Sequence, residues 1–111
     1  MAADPGSVVL MRDDLCHLGD FSEKAMFGGM GFMRDGHMLA GVMSDGGMMY
    51  RVGKPRESEA LRLPGVGPMQ SGARRMGGFV VISGSQLADD DLRRRLLDLA
   101  LTNATELPLK D

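Results

Sequence analysis

Cys16 and His17 stand side by side in this 111-residue chain, and a thiol beside an imidazole is the nucleophile-and-base pair of acyl transfer. Their spacing argues against that use. Neighbouring residues on a helix project about 100° apart, so the two side chains cannot face one another. Cys16 is therefore expected to be an inert, partly buried apolar side chain. His37, directly after Asp35-Gly36, is expected as an exposed residue at the start of a strand. One cysteine and two histidines do not furnish the ligand set of a structural zinc site. Seven of the eleven methionines fall between Met26 and Met49, and clustered thioethers can select copper(I). On one strand, however, Met26 and Met30 point to the side opposite Met33, so these residues are expected to fill the core or to line an adaptable surface. No catalytic residue, metal ligand or cofactor is assigned.

The run Gly28-Gly29-Met30-Gly31 invites comparison with a phosphate-binding loop. A GxGxxG pattern starting at Gly29 needs glycine at position 34, where Arg34 stands, and no helical pattern follows. Close approach of neighbouring backbones explains these glycines better. Arg74 and Arg75, with Arg51, could line a basic patch. Without interleaved aromatics, and in a chain of net charge −2, they do not predict direct nucleic-acid binding. The residues expected to meet a partner or ligand are Met30, Phe32 and Met49, bordering a cleft beside the glycine-rich strand, and the arginines Arg51, Arg74 and Arg75.

The elements that must position these residues are legible from periodicity and turn chemistry. From Lys24 to Gly53 the sequence reads as three strands joined by tight turns at Asp35-Gly36 and at Ser44-Asp45-Gly46-Gly47, a β-meander. Its first strand is apolar on both faces, the mark of a central strand. In the third, Met48, Tyr50 and Val52 alternate with Met49 and Arg51, which are expected to face water or a partner. Ahead of the meander, Asp4-Pro5 starts a helix with Asp4 as its cap, and Ser7 offers a second cap. Val8, Met11, Leu15 and Leu18 form its inner face, and Gly19 stops it, giving a helix from Pro5 to Leu18.

Behind the meander, Arg56 to Leu63 forms a short helix that begins no earlier than Pro55. Pro68 to Ser71 pairs briefly as an edge strand. Met76 to Ser83 forms the last full strand, with a bulge at Gly77-Gly78. Asp89 caps the closing helix, where Leu92, Leu96, Leu99, Ala100, Ala104 and Leu107 give the buried stripe. Asp89, Asp90 and Asp91 each stand four residues before an arginine, so Arg93, Arg94 and Arg95 are expected as a solvated, paired face. The fold class is α+β: an antiparallel sheet, made of a three-strand meander plus one or two later strands, packed against N- and C-terminal helices.

Composition bounds the function from outside. The chain is 43% hydrophobic and 25% charged, an ordinary globular balance that fits one domain over residues 1–111. The N-terminus MAADPGS has neither the basic region nor the apolar core of a signal peptide, and Cys16 has no partner for an internal disulfide. A reducing, cytoplasmic setting is expected. No run approaches the length that spans a membrane.

The stretches MFGGMGF with its Asp-Gly turn, MMYRVG, PGVGPM, MGGFVVI and LALTNATELPLK, in that order, resemble the TfoX/Sxy family, specifically its N-terminal domain. The resemblance runs from about Lys24 to Lys110. It implies the α+β fold just derived, similar to the architecture of type III secretion chaperones, and it brings no catalytic residues with it. Founding members regulate natural competence in bacteria, acting with the cyclic-AMP receptor protein at promoters, and carry a second, helical domain without counterpart in these residues. The function expected is thus a non-enzymatic interaction module, acting in transcriptional regulation through contacts with a protein partner, as monomer or homodimer. The alternative is a domain that binds a small ligand or peptide in a cleft beside the glycine- and methionine-rich strand.

Overall fold

A computed structural model describes residues 4–16, 21–26, 29–34, 36–71 and 74–107, leaving aside the side chains of Met26, Ser71, Arg74 and Arg75. Asp4 and Pro5 open the first helix as their types dictate. The Asp4 carboxylate accepts from the Ser7 backbone N–H at 3.0 Å, and α1 runs Pro5–Leu15 with Val8, Met11 and Leu15 buried. The expected extension to Leu18 and Gly19 lies outside the described residues. Ser7 is no second cap. It sits within α1, buried, and its hydroxyl donates to the Gly46 carbonyl at 2.7 Å, tying the helix to the turn after the third strand.

Six strands follow: β1 (Ser22–Met26), β2 (Gly29–Arg34), β3 (His37–Val42), β4 (Met48–Arg51), β5 (Gly67–Ser71) and β6 (Arg74–Ile82). They form one sheet in the order β1-β2-β3-β4-β6-β5, antiparallel at every pairing. The meander therefore has four strands rather than three. What reads in sequence as one strand from Ala25 to Met33 is two, with Met26 opposite Gly29. The stretch contains no Asp-Gly or Asn-Gly signal, and its glycines look the same whether they permit a reversal or a close approach. At Gly29 the close approach is present, since a side chain there would overlap the Val42 carbonyl oxygen.

β5 takes the edge expected of it, and Pro68 is tolerated there because an edge residue needs no ladder partner on its outer side. The irregularity at Gly77-Gly78 is real. Between the pairs Pro68↔Val80 and Gln70↔Arg75, β5 advances two residues and β6 five. Gly78 sits at φ 85°, and its carbonyl accepts from the N–H groups of Val52 and Gly53. Gly53, at φ 88°, turns the chain so that α2 (Lys54–Leu61) starts at Lys54, one residue earlier than the proline rule suggests.

A 3₁₀ turn (Gly84–Ala88) leads to α3 (Asp90–Thr105), whose cap is Asp89, accepting from the Leu92 N–H at 3.0 Å. Leu92, Leu96 and Ala100 are buried as the stripe requires, together with Leu97; Leu99 and Ala104 are half-buried. Inner faces of α1, α2 and α3 close over Phe32, Tyr50, Val80 and Ile82 to make a single core cluster. None of the helices among the described residues is long and apolar enough to cross a membrane.

Candidate functional site

Cross-strand partners share a face of a sheet, so the pairing register sorts the side chains into two sets. One row crosses all six strands as Glu23, Phe32, Ala40, Tyr50, Val80 and Pro68. Its four central residues have no exposure at all and belong to the core under the helices. The adjacent row crosses the same strands as Lys24, Gly31, Gly41, Met49, Val81 and Gly67, and it points away from that core. Met49 and Val81 are absent from the core cluster, although Met49 is only 6% exposed. The sheet thus carries a second apolar row, buried at Gly31, Gly41 and Met49 and half-buried at Val81, that stands apart from the core cluster.

Glycine gives this surface its shape. Gly41 leaves room for Met49 to lie flat across β3, since a Cβ at position 41 would stand 2.6 Å from the Met49 Cε. One step along the strands, Arg51 pairs with Phe79, and its guanidinium carbon lies 5.9 Å from the centre of the Phe79 ring, a cation–π distance.

The residues expected to meet a ligand do not form one site. Phe32 is sealed in the core and Met30 packs against it, whereas Met49 and Arg51 lie on the opposite face. No cleft bordered by Met30, Phe32 and Met49 exists, because residues 32 and 49 have opposite orientations in the pleat. Met49 is also buried rather than solvent-facing, lying flat over Gly41. Arg74 and Arg75 fall in β6, and their side chains lie outside those described.

Cys16 departs from expectation as well. It follows Leu15, the last residue of α1, and is exposed rather than partly buried. His17 lies outside the described residues. His37 is half-buried rather than exposed. Among the described residues, no three His, Cys, Asp or Glu side chains come together in a way that could hold a metal ion.

One polar cluster escaped sequence reasoning. Arg93 is 4% exposed, not part of a solvated face. Its guanidinium donates to the Asp14 carboxylate on α1 at 2.8 Å, to the Leu87 carbonyl at 2.6 Å and to Asp90 at 2.5 Å. Hydrogen bonding to Asp14 outweighs desolvation and holds the group more firmly in its charged form. Tyr50, fully buried, has its hydroxyl pKa pushed upward, first by desolvation and then by the negative charge of Asp14. Arg93 thereby locks α1, the 3₁₀ turn and α3 together over the core. Asp90 turns to Arg93 rather than to Arg94, and Arg94 and Arg95 remain exposed.

A second cluster explains two sequence features at once. Asn103, buried on α3, donates from Nδ2 to the Arg51 carbonyl at 3.4 Å. A side chain at Gly53 would overlap the Asn103 amide. The MMYRVG and LTNATE stretches are therefore two halves of one joint, extended by an Arg56–Glu106 ion pair at 2.5 Å.

Set against known proteins, the chain matches one family model, the TfoX N-terminal domain, over residues 13–104. No curated protein and no solved structure matches it.

Proposed function

This chain belongs to the TfoX N-terminal domain family, and from that membership we propose that it is a bacterial interaction module without catalysis of its own. It acts in transcriptional regulation by contacting another protein. What carries the reading is the family match, supported by one row of the six-stranded sheet, Gly31, Gly41, Met49 and Val81, that turns away from the helix-covered core. Half-buried Phe79 and Val81 are accessible apolar residues on that side of the sheet.

The test is in the native host. Cross-linking in living cells, followed by quantification of adducts across growth states, should yield one defined protein in stoichiometric amount. Deleting the gene should change a discrete set of transcripts. An absence of stoichiometric adduct in every growth state sinks the reading, and an unchanged transcript profile removes its regulatory half.

A further inference from the structure

Of the eleven methionines, the core takes up Met11 and Met48, with Met30 packed against it. Met33 and Met38 belong to neither group and are half-buried. The register places them. Met33 of β2 stands opposite Met38 of β3, beyond a bulge that leaves Leu39 unpaired, with Leu39 and Ala40 both turned into the core. Two residues separate Met33 from Gly31, so the pair shares the side of the sheet that carries Gly31, Gly41 and Met49.

Met49 reaches toward the same place. A Cβ at Gly41 would meet its Cε at 2.6 Å and its Cγ at 3.2 Å, so the sulfur bonded between those two carbons is carried from β4 onto β3. Directly opposite residues have Cβ atoms about 5 Å apart, and diagonal neighbours about 7–8 Å, which long side chains span. Three thioethers thus border one patch. Read as a single strand, residues 25–33 set Met33 apart from Met26 and Met30; the register instead joins it to methionines of the next two strands.

We propose that Met33, Met38 and Met49 form a thioether site for a soft monovalent metal ion, copper(I). Neutral sulfur donors select soft, polarisable ions over hard ones, and here they stand without harder donors from the strands. Glu23, the sole acid of the six strands, is on the helix-covered side and is paired with Arg12 at 2.6 Å. His37 alternates with Met38 and so takes the opposite side. Lys24 and Arg51 share the methionine side, and their charge penalises a divalent ion more than a monovalent one.

Glycine supplies the room. No side chain rises at position 31 or at its cross-strand partner 41, so the sulfurs turn toward one ion above them. Half-buried Met33 and Met38 give the ion its entry, and buried Met49 closes the far side. Methionines that merely cover the glycines would be replaced by leucine without consequence, and the test turns on that difference. The site does not depend on the interaction-module reading, which stands or falls on cellular cross-links.

The experiment uses the full chain carrying Cys16→Ser, because the exposed Cys16 thiol is itself a soft ligand. Silver(I) serves as a redox-inert probe. Copper(I), kept reduced with ascorbate in the absence of oxygen, is measured by competition with a chromophoric copper(I) chelator. One ion should bind per chain. In spectra of methionine labelled with carbon-13 at the ε-methyl, the signals of Met33, Met38 and Met49 should shift together while those of Met11, Met30 and Met48 stay. M33L, M38L and M49L should each weaken binding by at least the roughly tenfold that loss of a supporting contact costs a metal site, and M30L should leave it unchanged.

An absence of saturable binding, shifts spread over all the methionines or confined to others, leucine variants that bind as tightly as their parent, or preference for zinc(II) over copper(I) would each overturn the proposal. The methyl spectra of the parent decide the matter even where a leucine variant fails to fold.

Discussion

Replacing Arg93 by methionine isolates a polar interaction that ties α1 to α3, because methionine keeps much of the aliphatic stem and removes only the guanidinium. The Asp90 contact contributes little, since Asp90 is 81% exposed and surface pairs are worth about 0–1 kcal/mol. The other two matter more. Asp14 keeps 20% of its side-chain surface, so its stranded charge is partly rehydrated, and the Leu87 carbonyl loses a charged donor. Breaking a buried pair costs about 3–5 kcal/mol. Discounting for the exposure of Asp14, we expect about 2–4 kcal/mol, a fall in melting temperature of roughly 8–16 °C for a domain of this size.

Urea denaturation followed by circular dichroism measures the loss, with R95M as a control expected to stay within about 0.5 kcal/mol of the parent. In a double-mutant cycle with D14N, the coupling should exceed about 1 kcal/mol. If R93M behaves like R95M, or if the coupling is zero, the lock is not a lock and the burial of Arg93 is incidental.

Three further outcomes follow from geometry already described. G29V should cost about 2–3 kcal/mol, the upper end for overpacking, because the added carbon meets the Val42 carbonyl and backbone cannot rotate aside; an unchanged melting temperature would contradict the close approach. L96A, at a position with no exposure, should cost about 2–5 kcal/mol by urea denaturation. The third concerns pH. Hydrogen bonding to Arg12 lowers the Glu23 pKa below its usual 4.5, so protons bind the unfolded chain more readily than the folded one. Its contribution is present above pH 4.5 and disappears as pH falls through the lower folded value. E23Q should therefore lose less stability than the parent between pH 7 and pH 3, with a difference below about 1 kcal/mol for so exposed a pair.

Local chemistry made the starts of α1 and α3 and one edge of the sheet legible. Asp4, Asp89 and the Pro68 edge strand were readable because each depends on residues within four positions of itself. The division of residues 22–34 into two strands was not, since an apolar run with glycines has no internal mark for a reversal. Arg93 was hidden for a different reason. It stands in Arg93-Arg94-Arg95 behind Asp89-Asp90-Asp91, and the local pairing rule treats all three arginines alike. Only the packing of α1 against α3 selects one of them, through Asp14, 79 residues away in sequence.

The candidate surface was half legible for the same reason. Alternation correctly set Arg51 apart from Tyr50, but a strand read without its register cannot say which face a glycine serves. Phe32 and Gly31 are neighbours in sequence, yet one ends beneath the helices and the other on the opposite surface. The register also separates two kinds of packing. Phe32, Ala40, Tyr50 and Val80 fill the helix-covered row with large and small side chains in close contact, where any change of volume is resisted from both sides. In the next row Met49 fills the space above Gly41 from one side only. A change there meets first the flexible Met49 thioether, which can lift away, and then the Met30 carbonyl oxygen at 3.1 Å. Bulk added at Gly41 should thus displace Met49 before it strains the backbone, whereas at Gly29 it meets the Val42 carbonyl at once, so the fold demands glycine more strictly at 29 than at 41.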